Sequence, residues 1–361
     1  MASPFKRELA ARIKAQGRIS VAEYMARCVA HYYATRDPLG ARGDFITAPE
    51  VSQMFGELIG VWMAAVWQQM GSPPQMRIIE LGPGRGTLMA DALRAAKVLP
   101  GFLTPVSVHL VEISPVLRDK QQETLRGVGV PFAWHTALEE VPGGPAIVIA
   151  NEFFDALPVH QAIKRSDGWH ERRIGLDAEG ELTFTEAAET IASFGDGPPP
   201  SIRNAGAGSI FEWRDPAPMR ALGSRIAQGG AALVIDYGHV QSAIGDTLQA
   251  VGAHAFANPL ESPGERDLTA HVDFEAFIRD VSVAGGRPLD PLEQGHFLRR
   301  LGIEARAAKL KAIASSQQAV AIDAAVARLT GSGRSEMGRL FKVAGFAQPP
   351  LQLPGFDVLG A

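Results

Sequence analysis

From Met76 the chain reads Met-Arg-Ile-Ile-Glu-Leu-Gly-Pro-Gly-Arg-Gly-Thr, an apolar run that opens into a loop with glycines at 82, 84 and 86. No other stretch constrains the fold as tightly. Glycines at alternate positions let the backbone take positive φ and let a ligand lie against the main chain with no Cβ in the way. The run before them reads as a buried strand. Thr87 to about Lys97 reads as a helix whose first N–H groups have no intrahelical partner. A nucleotide-like ligand suits that join. The dinucleotide fingerprint G-x-G-x-x-G is met at Gly82, Pro83 and Gly84 but lacks its third glycine. Two residues before the first glycine stands Glu80, an acid that would repel a pyrophosphate and suit a cationic group. Both points favour the sulfonium or ammonium of S-adenosylmethionine.

After residue 76 strand and helix signals alternate. Val106–Ile113 is a buried strand reaching Glu112, and Ser114-Pro115 supplies an N-cap and first turn for a helix through Leu125. Pro131–Trp134 and Ala146–Ala150 follow as strands, the second ending at Asn151-Glu152. The pattern resumes at Ala231–Gly238 and closes with a strand at Leu340–Phe346. This rhythm predicts an α/β, doubly wound, mostly parallel sheet with right-handed crossovers and ligands at the carboxyl ends of its strands.

Before the glycine loop the chain reads helical. Ser20–Glu23 is a capping box that opens a helix to about His31. Thr47–Glu50 repeats the device before a longer helix, along which Val51, Phe55, Leu58, Ile59, Trp62 and Val66 share a buried face. The loop Tyr32–Ile46 between them is rich in aromatic and charged residues and suits a cover over a site. Residues 159–185 shift to a period of two, with Trp169, Arg173, Leu176, Leu182 and Phe184 marking an antiparallel insertion. Gly195–Pro200 is a flexible connector. A turn-rich region at 239–275 precedes helices at 273–283, 293–301 and 303–330. The expected organisation is a helical segment and lid at 1–75 and a core of 76–160 and 230–361 with an insertion at about 239–330. An antiparallel insertion and connector fill 160–229.

With 46% hydrophobic and 20% charged residues the chain has material for a large core. A formal net charge of -4 argues against a broad grip on nucleic acid or anionic membrane. No window approaches the ~18 apolar residues of a membrane span. The single cysteine, Cys28, excludes an internal disulfide and fits a reducing compartment; it reads as a small buried residue. His239, at the end of the fifth strand, is a candidate for the cleft or a loop histidine; the remaining histidines, His109, His135, His160 and His296 among them, lack metal-site spacing, so no metal is expected. The reading is a bacterial cytoplasmic protein, with the mitochondrial matrix as the alternative because the basic amphipathic stretch Phe5–Lys14 resembles a presequence.

In a doubly wound sheet the acid ending the second strand accepts hydrogen bonds from both ribose hydroxyls. Glu112 stands 26 residues after Gly86, room for one helix and one strand. NAD and S-adenosylmethionine both satisfy that acid, and an exposed strand-end carboxylate is the plainer alternative. Asn151–Pro158 (Asn-Glu-Phe-Phe-Asp-Ala-Leu-Pro) brings polar groups to the end of a further strand, where a methyl group would be delivered. Asn151 and Asp155 could equally form turn hydrogen bonds.

Those residues carry a resemblance. The chain resembles class I S-adenosylmethionine-dependent methyltransferases, and more narrowly the mitochondrial complex I assembly-factor methyltransferase family with its bacterial relatives. The match rests on Tyr32-Tyr33, Gly43–Glu50, Glu80–Gly86, Asn151–Pro158 and Asp267–Phe274, and so spans most of the chain. It implies a Rossmann-like core and S-adenosylmethionine held by Glu80, Gly82, Pro83, Gly84, Gly86, Glu112, Ile113 and Asn151. It also implies a protein substrate, an arginine in a subunit of respiratory complex I. A guanidinium stays protonated and is a poor nucleophile until carboxylates localise its charge. Glu152 and Asp155, with Asp273 and His271 from the later region, are the candidates for that work. His271 also reads as a residue fixing its own loop. The competing functions are an assembly chaperone that binds the cofactor without catalysis, and an NAD-dependent oxidoreductase, which Glu80 and the missing glycine disfavour.

Overall fold

Each apolar run after residue 76 becomes a strand in the computed structural model, which describes residues 3–35, 47–192, 194, 199–252, 255–333 and 335–356. The labelled elements are α1 (Gln53–Gln69), β1 (Met76–Leu81), α2 (Thr87–Ala96), β2 (Val106–Val111), α3 (Pro115–Thr124), β3 (Phe132–His135), β4 (Ala146–Asn151), α4 (Ala217–Ala227), β5 (Gly230–His239) and β6 (Phe341–Gln348). They form a sheet of order β6-β5-β4-β1-β2-β3, parallel except for β6, which runs antiparallel to β5. The chain winds outward from β1 to β3 and then restarts at β4 on the other side. The switch point therefore lies between the carboxyl ends of β1 and β4, where such sheets take their ligands.

The chain divides into two compact units. One comprises Ile46–Phe153, Pro216–Gly238 and Ala276–Ala361 and holds this sheet. Its core is continuous from α1 through the inner strands to β6. The α1 face predicted from Phe55, Leu58, Ile59, Trp62 and Val66 is buried, and Trp67 is core as well. Gly60 lets α1 approach α2 closely: a Cβ there would lie 2.1 Å from the Ala92 carbonyl oxygen.

The helix expected to start at Thr47 is two helices. Thr47 makes no side-chain cap, Ala48–Val51 is a single turn, and Ser52 is extended. The Ser52 hydroxyl then accepts from the Met54 N–H at 3.2 Å and caps α1. A serine able to bond the backbone locally favours such a break. Residues 303–330 divide for the same reason into Ile303–Lys311 and Ser316–Thr330, the second opened by a capping box of Ser315 and Gln318.

The other unit comprises Met1–Phe45, Phe154–Asp215 and His239–Glu275. Its main sheet is antiparallel, built from Val159–Lys164, Trp169–Leu176, Leu182–Thr190 and Ile210–Arg214, with Ile19–Ser20 pairing to Trp169–Leu176. The turn-rich region contains a small sheet of its own, Gln249–Gly252 between Ala255–Ala257 and Asp267–Thr269. At the predicted Ser20 cap, the hydroxyl accepts from the Glu23 N–H at 3.0 Å, while the Glu23 carboxylate takes Arg12 and Arg27. Cys28 is fully buried. Residues 36–46 of the expected cover, and 195–198 of the connector, lie outside the described residues. Among the described residues no helix is long and apolar enough to cross a membrane.

Candidate cofactor site and active site

The strand β1 delivers the glycine loop directly to the switch point. Gly82, Gly84 and Gly86 take φ of 62°, 54° and 81°, the left-handed region that favours glycine. The Gly82 N–H still bonds Val111 at 3.0 Å, so the ladder to β2 runs to the first glycine before the chain turns away. A Cβ on Gly82 would lie 2.8 Å from the Phe153 ring. Glu80, the one acid of β1, is buried, and its Oε2 has no hydrogen-bond partner among the described residues. Burial pushes its carboxyl up to about 8. Such a group is protonated at neutral pH until a cation comes beside it.

At the end of β2 the Glu112 carboxylate is also buried. Its Oε1 accepts from the Ser114 N–H at 2.8 Å, and Ser114 caps α3 through the Leu117 N–H at 3.3 Å, as predicted. Arg118 grips the Glu112 and His135 carbonyls, joining the ends of β2 and β3. Burial raises the Glu112 pKa, opposed by its hydrogen bonds from Ser114 and Gln121. A carboxylate has about four acceptor sites, so room for ribose hydroxyls remains. Next to it Ile113 is 63% exposed, an apolar side chain left in the open at the strand end.

At the end of β4, Asn151 is buried with its Oδ1 unpartnered among the described residues. Glu152 has φ of 52°, uncommon for a residue with a Cβ. Its N–H donates to Ile235 at 2.9 Å, and its Oε1 accepts from the Ala48 N–H and the Asn151 Nδ2, each at 3.1 Å, which helps hold it there. The Ala48–Val51 turn is thus tied to β4. It is also tied to the glycine loop, because Glu50 Oε1 accepts from the Thr87 hydroxyl at 2.6 Å and Glu50 Oε2 lies 4.0 Å from Arg85. Glu50 reads from the sequence as a capping residue and the end of the Gly43–Glu50 motif, and neither reading points to this bridge.

The remaining candidates belong to the other unit. Asp155 is buried, and its carbonyl accepts from Ala270 at 3.1 Å. The His271 N–H donates to the Thr247 hydroxyl at 2.9 Å. Asp273 is half-buried at the end of the strand Val272–Asp273. Arg214 gathers the first two: it donates to the carbonyls of Asp155 (3.3 Å), Leu157 (3.2 Å), Ala270 (2.8 Å) and His271 (2.8 Å). One guanidinium therefore fixes both motif turns, a role that nothing local in the sequence announces. Tyr33, from the first motif, donates to Asp267 at 3.2 Å, and burial together with the Asp267 and Asp155 carboxylates drives its phenol pKa upward.

These residues fit S-adenosylmethionine on three counts: an orphaned buried carboxylate oxygen, a backbone cradle that a Cβ would fill, and a strand-end acid with acceptor sites to spare. A family model described as an S-adenosyl-L-methionine-dependent methyltransferase matches residues 58–290. The chain belongs to the S-adenosylmethionine-dependent methyltransferase family. That membership removes the oxidoreductase alternative and makes S-adenosylmethionine the cofactor. The methyltransferase is 40% identical over 334 residues to the zebrafish (Danio rerio) mitochondrial protein arginine methyltransferase NDUFAF7, covering 83% of this chain and 77% of that protein. It is 38% identical over 338 residues to the human (Homo sapiens) protein of the same name, covering 84% and 74%. A Burkholderia thailandensis structure bound to S-adenosyl-homocysteine superposes with a TM-score of 0.81 at 29% identity, covering 98% of the methyltransferase and 92% of that chain.

Proposed function

We propose that this methyltransferase modifies an arginine side chain of a protein, with a subunit of respiratory complex I as the substrate implied by the resemblance. The observation that carries the reading is the Glu152 carboxylate, anchored at the carboxyl end of β4 beside the switch point. The arginine methyltransferase names of the mitochondrial relatives support arginine as the target. Its single cysteine fits a reducing compartment, for which the bacterial cytoplasm is the reading and the mitochondrial matrix, the location of the named relatives, the alternative.

When bound, S-adenosylmethionine supplies a methyl group on a positively charged sulfur. Gly82, Pro83, Gly84, Gly86 and Asn151 would hold its amino-acid portion, Glu80 would balance its charge, and Glu112 and Ile113 would take the ribose and the ring. Glu152 would pair with the substrate guanidinium, draw the positive charge toward the paired nitrogens and free the lone pair of a nitrogen to take the methyl carbon, the sulfur leaving as the neutral thioether of S-adenosylhomocysteine and the nitrogen's proton passing to solvent. Positioning of that nitrogen supplies much of the rate. Asp155, Asp273 and His271, the further candidates implied by the resemblance, belong to the other unit, where Arg214 fixes the turns that carry Asp155 and His271.

Glu152→Gln tests the assignment. The amide oxygen can still accept from Ala48, so the fold and cofactor affinity stay within about tenfold while methyl transfer drops roughly 100-fold or more. Calorimetry with S-adenosylhomocysteine and mass spectrometry of methylated substrate read the two effects, and unchanged turnover would strike Glu152 from the mechanism.

A further inference from the structure

Gln121 lies on α3, fully buried, and the proposed cofactor contacts leave it out. Its side chain nevertheless joins the two halves of the cofactor site. One Nε2 hydrogen goes to the Gly84 carbonyl at 2.8 Å and the other to Glu112 Oε2 at 3.2 Å. Its Oε1 accepts from the Trp134 indole N–H on β3 at 2.8 Å. Turning the amide over would set oxygen against two acceptors and nitrogen against a donor, so the indole fixes which way the amide points. The Gln121 backbone also floors the loop, with its Cα 3.5 Å from where a Gly86 Cβ would stand.

We infer that Gln121 is a positioning residue for cofactor recognition, keyed by Trp134: it holds the Glu112 carboxylate in the rotamer that accepts the ribose hydroxyls and locks it in register with the glycine loop. The inference rests on Glu112 being the ribose acceptor. A glutamate has three side-chain torsions, and a ligand must otherwise order them on binding. Ser114 fixes Oε1, but a carboxylate held at one oxygen can still rotate about it. The bond from Gln121 removes that freedom. Because the same nitrogen holds Gly84, a shift of the loop is felt at the carboxylate.

A purely structural glutamine would affect all ligands alike, whereas a positioning residue affects those that carry the hydroxyls. The test therefore measures binding of S-adenosylhomocysteine and of its 2′-deoxy analogue by calorimetry to the wild type, Gln121→Leu and Trp134→Phe. In the wild type the missing hydroxyl weakens binding roughly tenfold, the usual scale of a hydrogen bond to a charged group. In Gln121→Leu, S-adenosylhomocysteine binds about tenfold or more weaker while the analogue loses threefold or less, so the hydroxyl's contribution nearly vanishes. Trp134→Phe shifts it in the same direction by a smaller factor. Trp134 is only half-buried, so this variant keeps the test open if Gln121→Leu does not fold. Equal losses for both ligands would reduce Gln121 to a structural role and overturn the inference. A wild type indifferent to the hydroxyl would instead remove Glu112 as the ribose acceptor, and the inference with it.

Discussion

The two units carry their motif residues on links of different reach. In the sheet unit Glu112 to Ser114, Gln121 to Gly84 and Glu152 to Asn151 lie within 37 positions of each other, beside the longer tie of Glu152 to Ala48 across 104. In the other unit, Tyr24 donates to the Pro259 carbonyl 235 residues away, Tyr33 to Asp267 across 234, and Arg214 ties turns 56 or more residues distant. A site built from neighbouring strand ends forms once the sheet has its order. One built across distant stretches depends on single polar side chains, and its substitutions should be correspondingly sharp.

The largest effect is expected at Gly82→Val. The branched side chain meets Phe153 and opposes a φ of 62°, so S-adenosylhomocysteine affinity should fall at least ~100-fold. Native affinity by calorimetry would remove the loop from the site. Next is Arg214→Met, which leaves four carbonyls without their shared donor and should cost about 3 kcal/mol of stability. Methyl transfer should fall more than about tenfold while cofactor affinity moves less than about threefold. An equal drop in affinity, read beside thermal unfolding, would break the distinction between the units.

Glu80→Gln should act in opposite directions on stability and binding. The unfolded carboxyl loses its proton near 4.5, and the folded one near about 8. Between those values the folded state binds more protons, so this group's contribution to stability falls as pH rises. The amide escapes that loss and should gain roughly 1–3 kcal/mol at neutral pH, with cofactor affinity about tenfold lower. Unfolding curves across about pH 5 to pH 8 check the sign; a variant less stable than the wild type at neutral pH would contradict it. The smallest change is Tyr33→Phe, which removes one hydrogen bond to Asp267 and should lower stability by about 1 kcal/mol in chemical denaturation.

The same contrast explains what could be read from the sequence. The strand, loop and helix from Met76 to Ala96 are contiguous, so periodicity and glycine spacing carried them, and Glu112 followed from the length of one helix and one strand. Ile19 pairing with Ile174 has no such local mark, because tertiary packing alone decides which distant strands meet. Arg214 was invisible for another reason. Its partners are backbone carbonyls, which every residue has, so no residue type elsewhere in the chain points to it. Ser52 was read as mid-helix because the apolar period runs through it, while its hydroxyl gives the backbone a competing bond.

The buried Cys28 has a practical consequence. Burial pushes its thiol up to about 12, and the reactive thiolate is scarce at working pH. As the chain's single cysteine, it leaves the protein silent to maleimides and spin labels in its native sequence. Ile244→Cys in one unit and Val320→Cys in the other, both at exposed positions, would be the sites to take the dye, and energy transfer between them could follow cofactor binding with every native side chain but two in place.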